Sequence, residues 1–233
     1  NMINISNKYN LTVFHISDLH GTHQDLKVPE ADIMIVSGDA TNQFESWVNE
    51  QELLNFIDWY SKIDIKHKIY VPGNHDTFCF NNNKRVRQLF KSKEIIYLVE
   101  DSVEIEGLVI YGDPVTPRYG NWAFMADRAK IHKHWEGIPE DVNILITHGP
   151  PKGILDLTED RLGDLTLVGC NSLRRRVNEL QNLVLHCFGH IHDTRSITNA
   201  GVLNRNGKWF SNAAAVQDGQ IGVLKNTGNL FKL

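Results

Sequence analysis

The sequence predicts an α/β protein, and three observations carry that reading. Short apolar runs recur along its 233 residues, amphipathic stretches separate them, and five of the runs end in a polar cluster. Runs of this length, rich in valine and isoleucine and bounded by glycine or proline, read as buried strands. Strands that alternate with helical patterns predict crossover units and a parallel sheet.

The five runs come in order. LTVFHIS (11–17) leads into Asp18 and His20, and ADIMIVSG (31–38) leads into Asp39. KIYVPG (68–73) leads into Asn74, His75 and Asp76; NILIT (143–147) leads into His148; LVLHCFG (183–189) leads into His190 and His192. Each run therefore places a potential metal ligand just beyond its carboxyl end, where open α/β sheets build their sites. In extended chain residues i and i+2 face one side, so the imidazoles of His190 and His192 converge, and a convergent pair suggests a metal.

Two stretches between the runs have helical spacing. In 44–63 Trp47, Leu54, Ile57 and Ile63 are expected to form the apolar stripe, and in 168–182 Asn171 or Ser172 is expected as the N-cap. From Val103 to Tyr111, and again from Ile197 onward, short strands follow one another through Gly, Asn and Asp turns. These predict antiparallel additions or a second sheet packed on the first. With no repeat, low-complexity tract or linker, residues 1–233 are expected to be one domain; Asn1, ahead of Met2, is left out of the fold reading.

A formal net charge of -4 and a pI near 6.3 provide no bulk attraction for nucleic acid or anionic membrane. The three cysteines, Cys79, Cys170 and Cys187, make neither a disulfide framework nor a zinc pattern, so a reducing, cytoplasmic location is expected. No basic-then-apolar segment opens the sequence, so no leader is expected, and no apolar run approaches the ~18 residues that span a bilayer.

Taken together, DLH at 18–20, GD at 38–39, GNHD at 73–76, THG at 147–149 and GHIH at 189–192 form an ordered set. That set resembles the calcineurin-like metallophosphoesterase superfamily over roughly Val13 to Asn212. GNWAF and THGPP look closer still to its class III phosphodiesterase-like branch, which includes the metallophosphoesterase domain-containing proteins. The resemblance implies a four-layer fold, two mixed β-sheets packed as a sandwich flanked by α-helices. It also implies two divalent metal ions, one held by Asp18, His20 and His192 and the other by Asn74, His148 and His190, with Asp39 bridging. His75 would be the general acid and Asp76 would fix its orientation.

Imidazole, carboxylate and amide ligands without thiolate suit Mn, Fe, Co, Ni or Zn, with Mn preferred here. Two such ions bring +4 and the two aspartates -2, so about +2 would remain for a bridging hydroxide and a phosphodiester. The expected activity is phosphodiester hydrolysis by that hydroxide on a small-molecule phosphate ester, nucleotides included. Phosphomonoesterase or protein phosphatase activity is the alternative within the enzyme class, and a weakly active nucleotide-binding scaffold the alternative outside it. The segment 113–128 carries Arg118, Tyr119, Trp122, Phe124 and Arg128, which could stack on a substrate and pair with phosphate or could simply pack. Arg174, Arg175 and Arg176 are expected on a solvated helix face. Of the remaining histidines, His15 and His186 are expected in the core with satisfied hydrogen bonds. His23, His67, His132 and His134 are expected to face solvent, with only His23 in reach of the site.

Overall fold

The structure is a computed structural model that describes residues 2–6 and 8–233; Asn1 lies outside the described residues. Two six-stranded mixed sheets form its centre. Sheet one runs β1 (Met2–Asn4), β16 (Asn229–Lys232), β2 (Thr12–Ile16), β3 (Ile33–Val36), β4 (His67–Tyr70) and β5 (Ile96–Tyr97). Sheet two runs β14 (Gly201–Arg205), β15 (Lys208–Asn212), β13 (Leu185–Phe188), β10 (Ile144–Thr147), β7 (Leu108–Asp113) and β6 (Asp101–Ile105). The central strands β2 to β5 are parallel, as are β15, β13, β10 and β7; β16 and β14 enter antiparallel to β2 and β15, and β6 closes a hairpin on β7. Two short ribbons complete the strands, β8 (Thr116–Pro117) with β9 (Met125–Ala126) and β11 (Leu157–Glu159) with β12 (Leu165–Leu167).

Alternation along the strands assigns each face. Val13, Ile33, Ile35 and Ile69 of sheet one meet Ile110, Ile144, Ile146 and Leu185 of sheet two in a dry layer between the sheets. The residues between them point outward: Phe14, Met34, Val36 and Tyr70 pack under α1 (Ser46–Ser61), α2 (Thr77–Asn81) and α3 (Asn83–Ser92). Tyr111, Leu145, Phe188 and Phe210 pack under α4 (His132–Trp135) and α5 (Asn171–Glu179). This is the expected sandwich of two mixed sheets between helices. Among the described residues no helix is long and apolar enough to cross a membrane.

Several local expectations are corrected. The buried stripe of α1 is Leu53, Phe56, Ile57 and Tyr60, each contributing about 1.5–3 kcal/mol by burial, whereas Trp47 is 64 % exposed. Helical spacing alone admits either stripe; the sheet selects the one whose Phe56 packs on Tyr70 and whose Tyr60 hydroxyl bonds the Met34 and Ile69 carbonyls. The N-cap of α5 is Cys170, whose Sγ accepts from the Leu173 N–H at 3.5 Å, one residue before the expected Asn171. His15 and His186 do lie in the core. His15 bridges the sheets, with Nδ1 at 2.7 Å from Ser211 Oγ and Nε2 at 2.8 Å from Ser37 Oγ. His186 bonds only through Nε2, to the Thr147 hydroxyl at 2.8 Å, and its Nδ1 has no partner. His23 is buried against Phe56 and Trp59 with Nε2 on Asn55, so neither its expected exposure nor its reach to the site is realised. Of the others, only His132 is exposed; His67 and His134 are half-buried.

Candidate metal centre

Beyond the carboxyl ends of β2, β3 and β4 in sheet one, and of β10 and β13 in sheet two, five loops meet. The turns are tight. Asp18, His20, Asp39 and His190 adopt left-handed backbone at φ 51°, 42°, 53° and 69°. That region costs an L-residue roughly 1–2 kcal/mol, and such strain persists where surrounding contacts over-determine it. The backbones also approach closely. A Cβ on Gly189 would overlap the Asp18 carboxylate and the Ser17 hydroxyl, and one on Gly73 would overlap the Asp39 carboxylate and lie 2.6 Å from the His148 ring. Glycine at both positions is therefore a requirement of the centre rather than of a generic loop.

The histidines share one arrangement. His20 Nδ1 donates to the Thr41 carbonyl at 3.1 Å, His75 Nδ1 to the Asn42 carbonyl at 3.0 Å, His148 Nδ1 to the Ser37 carbonyl at 2.8 Å and His192 Nδ1 to the Asp218 carboxylate at 2.9 Å. With the proton held on Nδ1, each neutral ring presents a bare lone pair at Nε2, the tautomer a metal ligand needs. Those lone pairs face oxygens that are also acceptors. His148 Nε2 lies 3.2 Å from Asp39 Oδ2 and 2.9 Å from Asn74 Oδ1, and His192 Nε2 lies 3.0 Å from Asp18 Oδ1. His20 Nε2, buried without any hydrogen-bond partner, lies 3.8 Å from Asp39 and 3.9 Å from Asp18. Acceptor facing acceptor is stable only with a cation between, either a proton or a metal ion.

Protonation shows the same conflict. Burial disfavours charge on His148 and His192, yet the Asp39 and Asp18 carboxylates outweigh it and raise these rings to about 9 and about 10. Burial prevails at His20 and His190, lowering them to about 4 and about 3. Asp39, despite burial, is held well below the ordinary carboxylate range by His148 and His75. Ligand atoms of Asp18, His20 and His192, of Asp18, Asp39 and His148, and of His20, Asp39 and His75 lie within 4.8 Å of one another in each group. His190 sits beside them, its ring 4.9 Å from that of His148 and its backbone N–H on Asp18 Oδ2 at 2.9 Å. Oxygen and imidazole donors converging on buried carboxylates, with one imidazole nitrogen orphaned, fit divalent metal.

The structure corrects the expectation for Asp76. Its buried carboxylate does not touch the His75 ring. It accepts from the Gly73 and Asp39 N–H groups at 2.6 and 2.9 Å, the Tyr70 hydroxyl at 2.6 Å and the Thr41 hydroxyl at 2.8 Å. Asp76 thus ties the loop after β3 to the loop after β4. The His75 ring is set by the Asn42 carbonyl and packed by His20, Phe44 and Trp122 at centroid distances of 4.6, 4.7 and 4.9 Å. Asn49 of α1, fully buried, donates to the His75 carbonyl at 2.8 Å.

A cleft of about 510 Å³ opens onto the centre, lined by Asn74, His75, Tyr119, Arg128, His190 and Asp218 among others. Of the residues expected to bind substrate, Arg128 lines it, its guanidinium held by the Gly169 and Val168 carbonyls. Arg118 does not; it pairs with Asp127 at 2.8 Å and braces its own loop. Trp122 does not line the cleft; it packs on His75, Phe44 and Tyr119. Of the arginine triplet expected on a solvated face only Arg175 is exposed; the Arg176 side chain is 15 % exposed and pairs with Glu140 at 2.7 Å. Asp218 was invisible to sequence reasoning, since QDGQIG follows no strand pattern and one acid among 28 carries no signal.

A profile of the calcineurin-like phosphoesterase family matches residues 11–194. A UPF0046 protein of Caenorhabditis elegans is 32 % identical over 90 % of this chain and 71 % of its own length. Human metallophosphoesterase domain-containing protein 1 is 31 % identical over 76 % of this chain and 59 % of its own. "Probable rhamnogalacturonate lyase C" of Emericella nidulans is 39 % identical over 76 % of this chain but only 16 % of its own, so the chain spans a minor part of that relative. Among solved structures, phosphopantetheinyl hydrolase from Mycobacterium tuberculosis superposes with a TM-score of 0.56 at 14 % identity, over 91 % of both chains, a likeness of fold.

Proposed function

The chain belongs to the calcineurin-like phosphoesterase family, whose members are metal-dependent phosphoester hydrolases, and on that premise we propose that it is a phosphodiesterase acting on small phosphate esters. The observation that carries this reading is the set of four imidazoles with Nδ1 tied to oxygen and Nε2 open beside Asp18 and Asp39. Asp18, His20 and His192 would hold one ion, and Asn74, His148 and His190 the other, with Asp39 between; manganese is the favoured metal. When bound, the ions would supply the positive charge that lowers the pKa of a water and polarises the phosphoryl oxygens.

The protein's own groups have separable tasks. His75, with Nδ1 donating to the Asn42 carbonyl, has Nε2 free to take up a second proton and, as the doubly protonated ring, to pass it to the leaving oxygen, a contribution of typically 10²–10⁴-fold. Phe44 and Trp122 hold that ring in one orientation and exclude water from one of its sides. Tyr119 and Arg128 line the cleft where the remainder of the ester would lie, and its volume of about 510 Å³ is within the range that encloses a nucleotide-sized ligand. The three buried free thiols support placement in a reducing compartment, the cytoplasm.

The test is a metal-reconstituted screen of diesters against monoesters, cyclic nucleotides included, with metal counted per chain. Diester turnover that follows metal loading is expected. A clear monoester preference would overturn the diesterase assignment, and a protein that takes up no metal would overturn the centre itself.

A further inference from the structure

A second group of side chains meets at the carboxyl end of β7. Asp113 closes that strand, facing the same side as Tyr111 two residues earlier, toward α4 and α5. Its side chain is fully buried. Oδ1 accepts from the Val115 N–H at 2.9 Å, but Oδ2 has no hydrogen-bond partner. It points at His134 of α4, whose Nδ1 lies 3.8 Å away. His134 Nδ1 in turn donates to Glu100, just before β6, and Glu100 is half exposed. Ligand atoms of all three residues lie within 4.8 Å of one another.

An unpartnered buried carboxylate oxygen is costly, and the environment here does not repay it: burial raises the Asp113 carboxyl to about 7, with the Val115 N–H and then His134 only partly opposing. A cation would repay it. We propose that Glu100, Asp113 and His134 form a peripheral divalent-metal site with a preference for zinc, independent of the centre that Asp39 joins. One imidazole and two carboxylates are a set of three protein ligands that zinc accepts with an open fourth position, and the exposed side of Glu100 gives entry. Magnesium and calcium, which prefer all-oxygen shells, are disfavoured by the imidazole. The ion takes the place of the proton on His134 Nδ1. Ligands on a tetrahedral zinc stand roughly 3.3 Å apart at bonds of about 2.0–2.1 Å, so Glu100 moves outward from its present hydrogen bond and the His134 ring closes by about half an ångström on Asp113.

The test is equilibrium dialysis of the full chain against zinc, with metal counted in wild type, His134→Ala and Glu100→Gln. Wild type should hold one equivalent more than either variant, and phosphoesterase activity should be equal in all three. Magnesium in place of zinc should abolish the difference. Equal zinc in the three proteins overturns the site. Because the readout is a difference, failure of the catalytic centre to load would lower all three alike and leave this result legible. If His134→Ala does not fold, Glu100→Gln decides, since it alters only a half-exposed carboxylate.

Discussion

At the scale of single residues, the centre depends on which nitrogen of each histidine is occupied. Asp218 decides this for His192, and it is 59 % exposed, so its removal should leave the fold intact. Asp218→Ala should weaken metal binding by about 10–100-fold, as loss of a partner that orients a ligand does; chelator competition measures it, and unchanged affinity would detach Asp218 from the centre. His75 poses a sharper question, because one of its ring nitrogens lies within 4.8 Å of ligand atoms of His20 and Asp39, near enough to ligate as well as to donate. If it donates, His75→Ala should lower kcat by ~10²-fold or more with both ions retained, and less for nitrophenolate than for an alkoxide. Loss of one ion, or equal defects for both leaving groups, would make it a ligand instead. Every residue of the expected ligand set could be proposed from the sequence, because each stands within five residues after an apolar run. The carbonyls of Ser37, Thr41 and Asn42 that select the tautomers were not, since any residue carries a carbonyl.

At the scale of elements, five strand ends and their loops are fastened to one another by polar groups buried between them. Gly189→Ala should cost about 1–3 kcal/mol or more from overpacking, and should lower metal affinity as well, because the new methyl displaces Asp18. Denaturant midpoints and metal counts read the two effects, and a change in the first alone would place Gly189 outside the centre. His15, which joins β2 to β15, makes a different prediction. Burial lowers His15 and His186 to about 3, while in the unfolded chain both titrate near 6.5. Below pH 6.5 the unfolded state therefore binds more protons, and the stability these rings contribute above that pH is lost as it falls toward 3. The loss is about 1.4 kcal/mol per pH unit for each ring. In metal-free protein His15→Gln should reduce the slope of unfolding free energy between pH 6.5 and 4.5 by one proton's worth; an unchanged slope would mean that the ring already protonates in the folded state. The five strands that precede the ligand clusters were legible because apolar residues lie on both of their faces. The stripe of α1 and the whole of α3 were less so, since their burial is decided by sheet residues distant in sequence.

At the scale of the whole molecule, the candidate ligands come from both sheets: Asp18, His20, Asp39 and Asn74 from one, His148, His190 and His192 from the other. A metal pair would therefore cross-link the sandwich at one end. Removing it with a chelator should lower the melting temperature along with activity, and free metal at 100 times its Kd should restore about 2.7 kcal/mol. A melting temperature indifferent to chelation would mean that the ions bind without bracing the sheets.

The place of β16 carries a consequence in time. It lies between β1 and β2, pairing with Met2–Asn4 on one side and Thr12–Ile16 on the other. On a ribosome adding about 5–20 residues per second, roughly 10–40 s separate the synthesis of β2 from that of its neighbour. For that interval β2 offers Val13, Phe14 and Ile16 along an open edge to any other nascent chain, the circumstance in which strands pair wrongly. Deleting residues 229–233 would make the interval permanent. Such a chain keeps all seven expected ligands and should nevertheless be recovered as aggregate, whereas the intact chain diluted from denaturant, with β16 present from the first moment, should refold without that delay.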